Sequence, residues 1–359
     1  MKILYLYSEV MGYNVAVFEQ LVLEYGATVD VVHWNKNKLT PYTAPLAAGV
    51  QYHERSTFHT KQLVEFSLNL QPDLVYVSGW MDAGYLKVVA RLRAIGVPIV
   101  VGFDTQWTGS LRQRLGAQLL RWHYKSKYFS YALVPGPLQF AYATRLGFKQ
   151  TEILYPLLSA NTSVFSTAVQ ALSLTKKGDY PKRFLYVGRF TESKGVDILL
   201  AAFKIYKDKY QGTWGLTLVG NGPLLATINA AQQHDSNIQI APFSDQAKLV
   251  EYALASGAFV LPSRYEPWGV VAHEFSAAGL PMIMSEAVGA RTQFLIDHLN
   301  GYTFYRNSAE DLAQKLAQLS LLGSEQLCAM GLESARLASN IDTKLAAASF
   351  VSIAKRFDT

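Results

Sequence analysis

The segment that decides the fold is FVLPSRYEPWGVVAHEFSAAGLP, residues 259–281 of a chain of 359. Ala258–Leu261 is an uninterrupted apolar run, which predicts a buried strand, and a loop rich in proline and glycine follows it. From Gly269 the apolar residues recur at helical spacing, and the helix is expected to end in the Gly-Leu-Pro that closes the segment. The segment therefore predicts a strand–loop–helix unit with Glu266 in the loop and Glu274 inside the helix.

The positions of these two glutamates indicate the kind of ligand they would bind. The N-terminus of a helix that follows a buried strand attracts anions, because its first N–H groups lack partners and its macrodipole is positive there. A carboxylate only accepts hydrogen bonds, so it suits a hydroxyl-rich neutral group attached to a phosphate rather than the phosphate itself. A solvated surface pair is the alternative, and the strand, loop and helix around the pair favour binding.

Glu266 and Glu274 have the spacing Glu-x7-Glu, and the segment resembles the signature of the family 4 retaining glycosyltransferases of GT-B fold. The resemblance implies that Glu266 lies beside the donor sugar and that Glu274 binds the ribose hydroxyls. It also implies that the backbone of Trp268, Gly269 and Val270 contacts the donor sugar and its diphosphate.

The composition is that of a large globular chain. With 50% hydrophobic residues, 359 residues are enough for about two domains. No apolar run approaches the length of a membrane-spanning helix, and the apolar start of the chain is too short for a signal peptide. Cys328 is the only cysteine, which excludes an internal disulfide and a cysteine zinc cluster and fits a reducing cytoplasm.

Short apolar runs alternate with helical stretches in residues 1–160, which predicts βαβ units and a parallel sheet. The predicted strands there are Ile3–Ser8, Val29–Trp34, Leu74–Ser78, Pro98–Phe103 and Ala132–Pro135. A polar, turn-rich segment at 161–182 predicts a linker. A second series begins at Phe184, and its further predicted strands are Leu216–Val219, Ile238–Ala241, Ala258–Leu261 and Met282–Met284.

This pattern and the resemblance predict an α/β chain of GT-B fold, with two Rossmann-like, doubly wound domains facing each other across a cleft. Residues 1–160 would be the acceptor-binding domain and residues 183–341 the nucleotide-sugar-binding domain. The last stretch, 342–359, is predicted to be a helix that returns to the first domain, as is common in GT-B enzymes.

A second motif, GRFTESKG at residues 188–195, follows the strand that begins at Phe184. Gly188 permits a close backbone approach, while the forked guanidinium of Arg189 and the ammonium of Lys194 match two adjoining phosphates. Two solvated basic residues are the alternative, but the motif resembles the family's Gly-Arg-x4-Lys-Gly block. Since the chain has no Asp-x-Asp motif and no His/Cys cluster, we expect these two residues to replace a metal, with no metal ion and no cofactor.

Weaker signals concern the rest of the donor site. Gly220 and Gly222 form a tight turn that is similar to the family's Val-Gly-x-Gly-Pro turn. Pro242 and Phe243 resemble the segment beside the nucleotide base. Gln293 stands where the family usually has an acidic residue, and we assign it no catalytic role.

The first half of the chain has fewer signals. Gly12, after the first strand, is a candidate contact to the donor diphosphate. Many relatives have a histidine after the strand that ends near Phe103, whereas this chain has none between His59 and His123. Asp104 or Gln106 is a candidate to take over part of that role, and Asp104 is equally a candidate helix N-cap.

Residues 105–151 contain seven Lys or Arg and no Asp or Glu. On a helix their apolar residues would share one stripe, formed by Leu111, Leu115, Leu119 and Trp122. The basic residues that we take as candidates for membrane or acceptor binding are Arg114, Arg121, Lys125 and Lys127. A basic amphipathic helix of this kind binds anionic membrane surfaces. A helix whose apolar side faces the core is the equally weighted alternative.

The sequence thus predicts a retaining hexosyltransferase that uses a UDP- or GDP-sugar and a hydroxyl of a glycan or polyprenyl-linked acceptor. Bacterial surface polysaccharide or lipopolysaccharide assembly is the expected setting. We expect a cytoplasmic protein, peripheral on the inner membrane, with no nucleic-acid partner. A non-catalytic sugar-nucleotide-binding scaffold and another GT-B activity, such as an epimerase, are the alternatives. The sequence names neither base, sugar, acceptor, linkage nor oligomeric state.

Overall fold

The computed structural model describes residues 1–34, 47–166 and 179–355. The chain divides into two compact units. Unit 1 comprises Met1–Ser159 and the C-terminal segment that begins at Ile341, and unit 2 comprises Ala160–Asn340. Much of the predicted linker, residues 167–178, lies outside the described residues.

The described residues of unit 1 form a seven-stranded parallel sheet of order β3-β2-β1-β4-β5-β6-β7. Its strands are β1 Lys2–Tyr7, β2 Thr28–His33, β3 Val50–Glu54, β4 Leu74–Ser78, β5 Ile99–Gly102, β6 Tyr131–Leu133 and β7 Ile153–Leu154. Its helices up to residue 145 are α1 Gly12–Tyr25, α2 Thr60–Leu70, α3 Ala83–Ala94, α4 Leu111–Leu119, α5 Lys125–Tyr128 and α6 Pro137–Arg145.

The two faces of this sheet explain why its central strands are apolar without interruption. In β1, Leu4 and Leu6 point into one apolar cluster and Ile3 and Tyr5 into the other. Successive side chains of a strand point to opposite faces, so a strand that is covered on both faces cannot alternate polar and apolar residues. Because burial on both faces requires a continuous apolar run, such strands can be predicted from the sequence.

In unit 2, the part that the structure describes forms a six-stranded parallel sheet of order β10-β9-β8-β11-β12-β13. Its strands are β8 Arg183–Val187, β9 Gly215–Val219, β10 Ile238–Ala241, β11 Ala258–Leu261, β12 Met282–Ser285 and β13 Gly301–Phe304. Its helices are α7 Val196–Tyr210, α8 Leu225–His234, α9 Gln246–Leu254, α10 Val270–Ala277, α11 Arg291–Phe294, α12 Ala309–Ser320 and α13 Ser324–Ala338.

The C-terminal helix, α14, spans Thr343–Lys355 and packs on α1 of unit 1. Phe350 is 1% exposed and lies in the same apolar cluster as the α1 side chains. The hydroxyl of Ser349 donates to the carbonyl oxygen of Tyr155 at 3.0 Å. The last residues of the predicted C-terminal segment, 356–359, lie outside the described range.

The predicted fold class, with two Rossmann-like α/β units, is confirmed. Each strand that we predicted from an apolar run is present, with its bounds displaced by no more than two residues. Among the strands of the described residues, three were not predicted, namely β3, β7 and β13. β3 is an edge strand of sequence VQYHE in which only Val50 is buried, and β7 has two residues, so neither carries a continuous apolar run. Among the described residues, no helix is both long and apolar enough to cross a membrane.

Candidate functional site

The carboxyl ends of the strands in unit 2 bring four loops together. These are the loops that follow β8, β9, β11 and β12. Backbone hydrogen bonds join neighbouring loops in three places: Phe190 N to Asn221 O at 2.8 Å, Arg264 N to Ser193 O at 2.9 Å, and Gly289 N to Glu266 O at 3.0 Å. The loops that carry the two sequence motifs are therefore held against each other by the backbone itself.

An ion pair joins the two motifs. Lys194 Nζ lies 2.5 Å from Glu266 Oε2, and the two side chains are only 17% and 9% exposed. The hydroxyl of Ser263 donates to the same carboxylate oxygen at 3.1 Å. Sequence reasoning assigned Lys194 to phosphate and Glu266 to sugar and treated them separately. The structure places them in direct contact.

Arg189 lies in the same loop after β8 as Lys194 and is exposed. Its backbone oxygen accepts a hydrogen bond from the Tyr186 hydroxyl at 2.8 Å. Burial raises the pKa of Tyr186, the nearby charge of Glu266 raises it further, and the Arg189 guanidinium lowers it. Both charges act on the same phenol, so Arg189 and Glu266 share one neighbourhood. No ion pair to Arg189 is found within the described part of the chain.

The N-terminus of α10 is formed by Gly269, whose φ of 98° is in the left-handed region. A Cβ atom at this position would lie 3.0 Å from Cγ of Glu266. Glycine therefore fixes how the loop carrying Glu266 enters the helix. No side chain caps this helix end, and the first N–H groups of a helix have no partner within it. Val270 is the first helical residue, so its N–H is one of the groups an anion could meet.

The side chain of Trp268 belongs to the core. It is 1% exposed, and its ring lies edge-on to that of Phe294 at 6.1 Å between centroids. Its carbonyl oxygen accepts a hydrogen bond from Ala290 N at 2.9 Å. The indole thus anchors the loop from beneath, and any ligand contact at this residue belongs to its backbone.

Glu274 lies on α10, one turn into the helix, and is partly buried. Gln246 Nε2 donates to its Oε1 at 3.2 Å. Burial raises the pKa of Glu274 to about 7, and the hydrogen bond from Gln246 acts in the opposite direction. The carboxyl is therefore close to its titration midpoint at neutral pH, and a ligand that donates hydroxyl hydrogens would favour the ionised form.

Sequence reasoning missed Ser263 and Gln246. Ser263 is three residues before Glu266 in the same loop, so its position was a usable signal. Gln246 is 28 residues from Glu274 and starts α9, and no local pattern announces that contact.

The glycine turn after β9 is needed for the close approach of two loops. A Cβ atom on Gly220 would lie 2.0 Å from the carbonyl oxygen of Gly188, which no side chain permits. Gly222 likewise lies against the backbone of Phe190. Pro242 and Phe243 follow β10 and are exposed.

In unit 1, Gly12 is the first residue of α1, and Asp104 follows β5. The helix N-cap hypothesis for Asp104 is wrong. The next helix starts only at Leu111, where the hydroxyl of Ser110 accepts from Gln113 N at 3.3 Å. Asp104 instead lies in an irregular segment, and its backbone oxygen accepts from Gln139 Nε2 at 3.0 Å.

Asp104 acts on three tyrosines whose grouping could not be predicted from the sequence. Burial raises the pKa values of Tyr7, Tyr13 and Tyr76, and the charge of Asp104 contributes to each of these shifts. Tyr7 is hydrogen-bonded to the side chains of Asn14 and Tyr13. These residues come from β1, α1 and β4, which lie next to each other only in the folded unit. The charge of Asp104 therefore acts on three tyrosine hydroxyls of unit 1.

The basic segment of unit 1 forms α4, a π-helical turn at Leu120–Tyr124, and α5. The predicted stripe is exposed to solvent, so the core-facing alternative is wrong. Exposed fractions are 77% for Leu111, 68% for Leu115, 53% for Leu119 and 70% for Trp122. The side chains that face the core are instead those of Ala117 and Leu120.

The candidate basic residues of this segment differ in their surroundings. Lys125 Nζ lies 2.5 Å from Glu152 Oε2, and the lysine side chain is only 17% exposed, so its charge is already used within unit 1. Arg114 is exposed, and its Nε donates to the carbonyl oxygen of Gly109 at 2.9 Å. Arg121 and Lys127 are exposed.

Within the described residues, no three or more histidine, cysteine, aspartate or glutamate side chains are grouped so that they could hold a metal ion.

Residues 174–331 match the family model of the glycosyl transferases group 1. This region belongs to the group 1 glycosyltransferase family. All the candidate donor residues from Gly188 to Glu274 lie inside it.

Two relatives show the extent of the similarity. An uncharacterized glycosyltransferase of Methanocaldococcus jannaschii is 31% identical over 156 residues, which are 43% of this chain and 42% of that protein. The amylovoran biosynthesis glycosyltransferase AmsK of Erwinia amylovora is 27% identical over 200 residues, which are 48% of each chain. The chain thus spans less than half the length of these curated relatives.

Among solved structures, that of HepE from Anabaena in complex with UDP is similar over 100% of both chains, with a TM-score of 0.73 and 13% sequence identity. At this identity the likeness shows the fold alone. The chain has the GT-B fold, and the region that matches the group 1 glycosyltransferases lies within it.

Proposed function

We propose that this protein is a retaining, metal-independent glycosyltransferase. It moves a hexosyl unit from a nucleoside-diphosphate sugar to a hydroxyl group of a glycan or lipid-linked glycan. The observation that carries the proposal is the contact between Lys194 and Glu266, with the exposed Arg189 in the same loop as Lys194. One cation-rich loop and one carboxylate-bearing loop meet there, at the N-terminus of α10.

The diphosphate of the donor would lie against Arg189, Lys194 and the first N–H groups of α10. These groups bring positive charge to the position where the leaving diphosphate gains negative charge. A hydrogen bond to a charged group contributes about 1.5–3 kcal/mol. If such a hydrogen bond is stronger in the transition state than in the bound donor, the difference in free energy accelerates the reaction about tenfold for each 1.4 kcal/mol. The likeness to HepE, whose structure contains UDP, supports a nucleotide donor.

The two glutamates would bind the neutral parts of the donor. Glu266 accepts hydrogen bonds from hexose hydroxyls while Lys194 stays beside it, so that sugar and diphosphate are held by one ion pair. Glu274 accepts from the ribose hydroxyls. Because its pKa is raised to about 7 by burial, binding a hydroxyl donor would shift this carboxyl towards its ionised form.

In the proposed retaining step, the bond between the anomeric carbon and the phosphate oxygen breaks as the acceptor oxygen bonds to the same face of that carbon. The acceptor's proton passes to the departing phosphate oxygen, so no basic side chain is required. We assign Asp104, with the tyrosines around it, to orienting the acceptor. The family resemblance supports this mechanism.

The proposed setting is surface polysaccharide assembly on the cytoplasmic face of a membrane. The similarity to a relative named for amylovoran biosynthesis supports a polysaccharide role. A lipid-linked acceptor would place the enzyme at the membrane surface.

Calorimetry tests the donor site. UDP, GDP, ADP and their hexose derivatives are titrated into the protein with and without EDTA, and one tight binder that ignores EDTA is expected. Arg189→Ala and Lys194→Ala should each lower kcat/KM at least about tenfold. Lys209→Ala removes an exposed charge on α7 and is the matched control.

Three outcomes would count against the proposal. Absence of binding to any nucleotide of the panel would refute the donor site. Unchanged turnover in either variant would refute the role assigned to that residue. Tight binding with no slow hydrolysis of the donor would instead indicate the non-catalytic scaffold.

A further inference from the structure

The exposed apolar stripe of unit 1 is formed by Leu111, Leu115, Leu119 and Trp122. Single exposed apolar residues are common on protein surfaces, but a contiguous set on one helix face marks an interaction site. The three leucines are four residues apart, so they lie within about 80° of one another around a helix axis. Trp122 Nε1 donates to Gln118 Oε1 at 3.0 Å, which holds the indole back along the helix beside Leu119.

Basic residues flank the stripe. Arg112, Arg121 and Lys127 are exposed, and within the described parts of the chain none of them forms an ion pair. The guanidinium of Arg121 lies over the Trp122 ring, 5.7 Å from its centroid. No acidic residue occurs between 105 and 151, so the sequence around the stripe supplies no negative charge to balance them.

We propose that α4 and α5 dock the protein on an anionic lipid bilayer, with the leucines below the headgroups and Trp122 at headgroup level. Tryptophan prefers that depth, and basic residues beside an amphipathic helix bind the lipid phosphates. The docking surface lies wholly in unit 1, whereas all the donor-site candidates except Gly12 lie in unit 2. It extends the proposed function by naming the lipid surface, but it does not require glycosyl transfer.

The charges favour lipid over the other occupants. If two copies met through this face about a two-fold axis, basic flanks would be packed against basic flanks, and like charges at an interface are unfavourable. A nucleic acid would satisfy the arginines but would leave three leucines in water. An anionic bilayer covers the leucines and neutralises the arginines together.

The test measures sedimentation of the full chain with vesicles. Vesicles of phosphatidylcholine alone are compared with vesicles that also contain phosphatidylglycerol, at low and high salt. Binding is expected only with the anionic lipid and should weaken as salt screens the charges. Each basic residue near such a surface contributes about fivefold in affinity, so R112Q/R121Q/K127Q should bind about a hundredfold more weakly.

Matched variants separate this surface from net charge and from exposed leucine in general. K61Q/K87Q/K209Q removes three exposed charges elsewhere and should bind like the wild type within a few-fold. L115Q/L119Q should lose binding, whereas L23Q/L321Q changes two leucines of 77% and 85% exposure and should retain it. All these side chains are exposed, and circular dichroism and donor calorimetry confirm that each variant folds.

The proposal is overturned if the two triple variants bind equally, or if L115Q/L119Q binds as well as L23Q/L321Q. It is also overturned if the wild type ignores anionic vesicles and L115Q/L119Q instead abolishes a concentration-dependent dimer. A chain that binds vesicles but no nucleotide would refute the proposed function and leave this docking surface standing.

Discussion

The replacement Glu274→Gln tests whether the carboxylate of Glu274 serves ligand binding or the stability of the fold. Glutamine has almost the same shape as glutamate, and its amide oxygen can still accept the hydrogen bond that Gln246 Nε2 donates at 3.2 Å. The change therefore removes the titratable charge while preserving the packing of α10 and the contact with α9.

The expected stability change follows from the pKa. Burial raises the pKa of Glu274 from 4.5 to about 7. At 1.36 kcal/mol per pH unit, the difference between these values corresponds to about 3 kcal/mol. The folded pKa lies above the unfolded one, so the contribution of this carboxyl is fully present below pH 4.5 and is lost as the pH rises through 7. The free energy of unfolding of the variant should match that of the wild type near pH 4.5 and exceed it above pH 7.

Donor binding should change in the opposite direction. If Glu274 accepts hydrogen bonds from ribose hydroxyls, the neutral amide offers a single acceptor without charge. A hydrogen bond to a charged group is stronger by about 1–1.5 kcal/mol, so nucleotide affinity should fall by about tenfold. A residue with only a structural role would show no such opposition between stability and binding.

The assays are urea unfolding at about pH 5 and about pH 8, and calorimetry with the nucleotide that binds the wild type. The variant should be more stable by less than about 1 kcal/mol at the lower pH and by about 3 kcal/mol at the higher pH. Glu251→Gln, an exposed carboxyl on α9, is the control and should change neither quantity appreciably. A variant whose stability gain does not grow with pH refutes the burial argument, and unchanged nucleotide affinity refutes the ligand role.

Three further substitutions, with Gly116→Ala on α4 of unit 1 as a comparison, test packing by urea unfolding. Gly220→Ala should lower the free energy of unfolding by about 2–3 kcal/mol, because the added Cβ would lie 2.0 Å from a backbone oxygen. Gly116→Ala lies in open space on α4 and should raise the free energy of unfolding by about 0.5–1 kcal/mol. Equal effects would contradict the steric argument. His273→Ala should lower it by about 3 kcal/mol, since the buried ring accepts from Ala160 N and donates to Ala338 O, both at 3.0 Å; a much smaller loss would show that the ring is not needed. Lys194→Ala should lower it by about 3 kcal/mol by leaving a buried carboxylate without its ammonium partner, and unchanged stability would show that the pair is open in solution.

The accuracy of the strand predictions depended on burial. Central strands such as β1 and β11 are covered on both faces, and their continuous apolar runs were visible in the sequence. The edge strand β3 and the two-residue β7 bury too little to leave such a trace. The helix over Val270–Ala277 and the loop position of Glu266 were predicted because proline and glycine mark the boundaries locally.

The sequence by itself determined the two Rossmann-like units and the two motifs of the proposed donor site, since these depend on residues close together in the chain. The tertiary structure alone decided which partners those residues have. Lys194 and Glu266 are 72 residues apart, and their contact depends on the neighbouring positions of β8 and β11 in the sheet. It also decided that the apolar stripe on α4 is exposed: periodicity defines a helix face, but only the packing of the whole unit determines whether anything covers it.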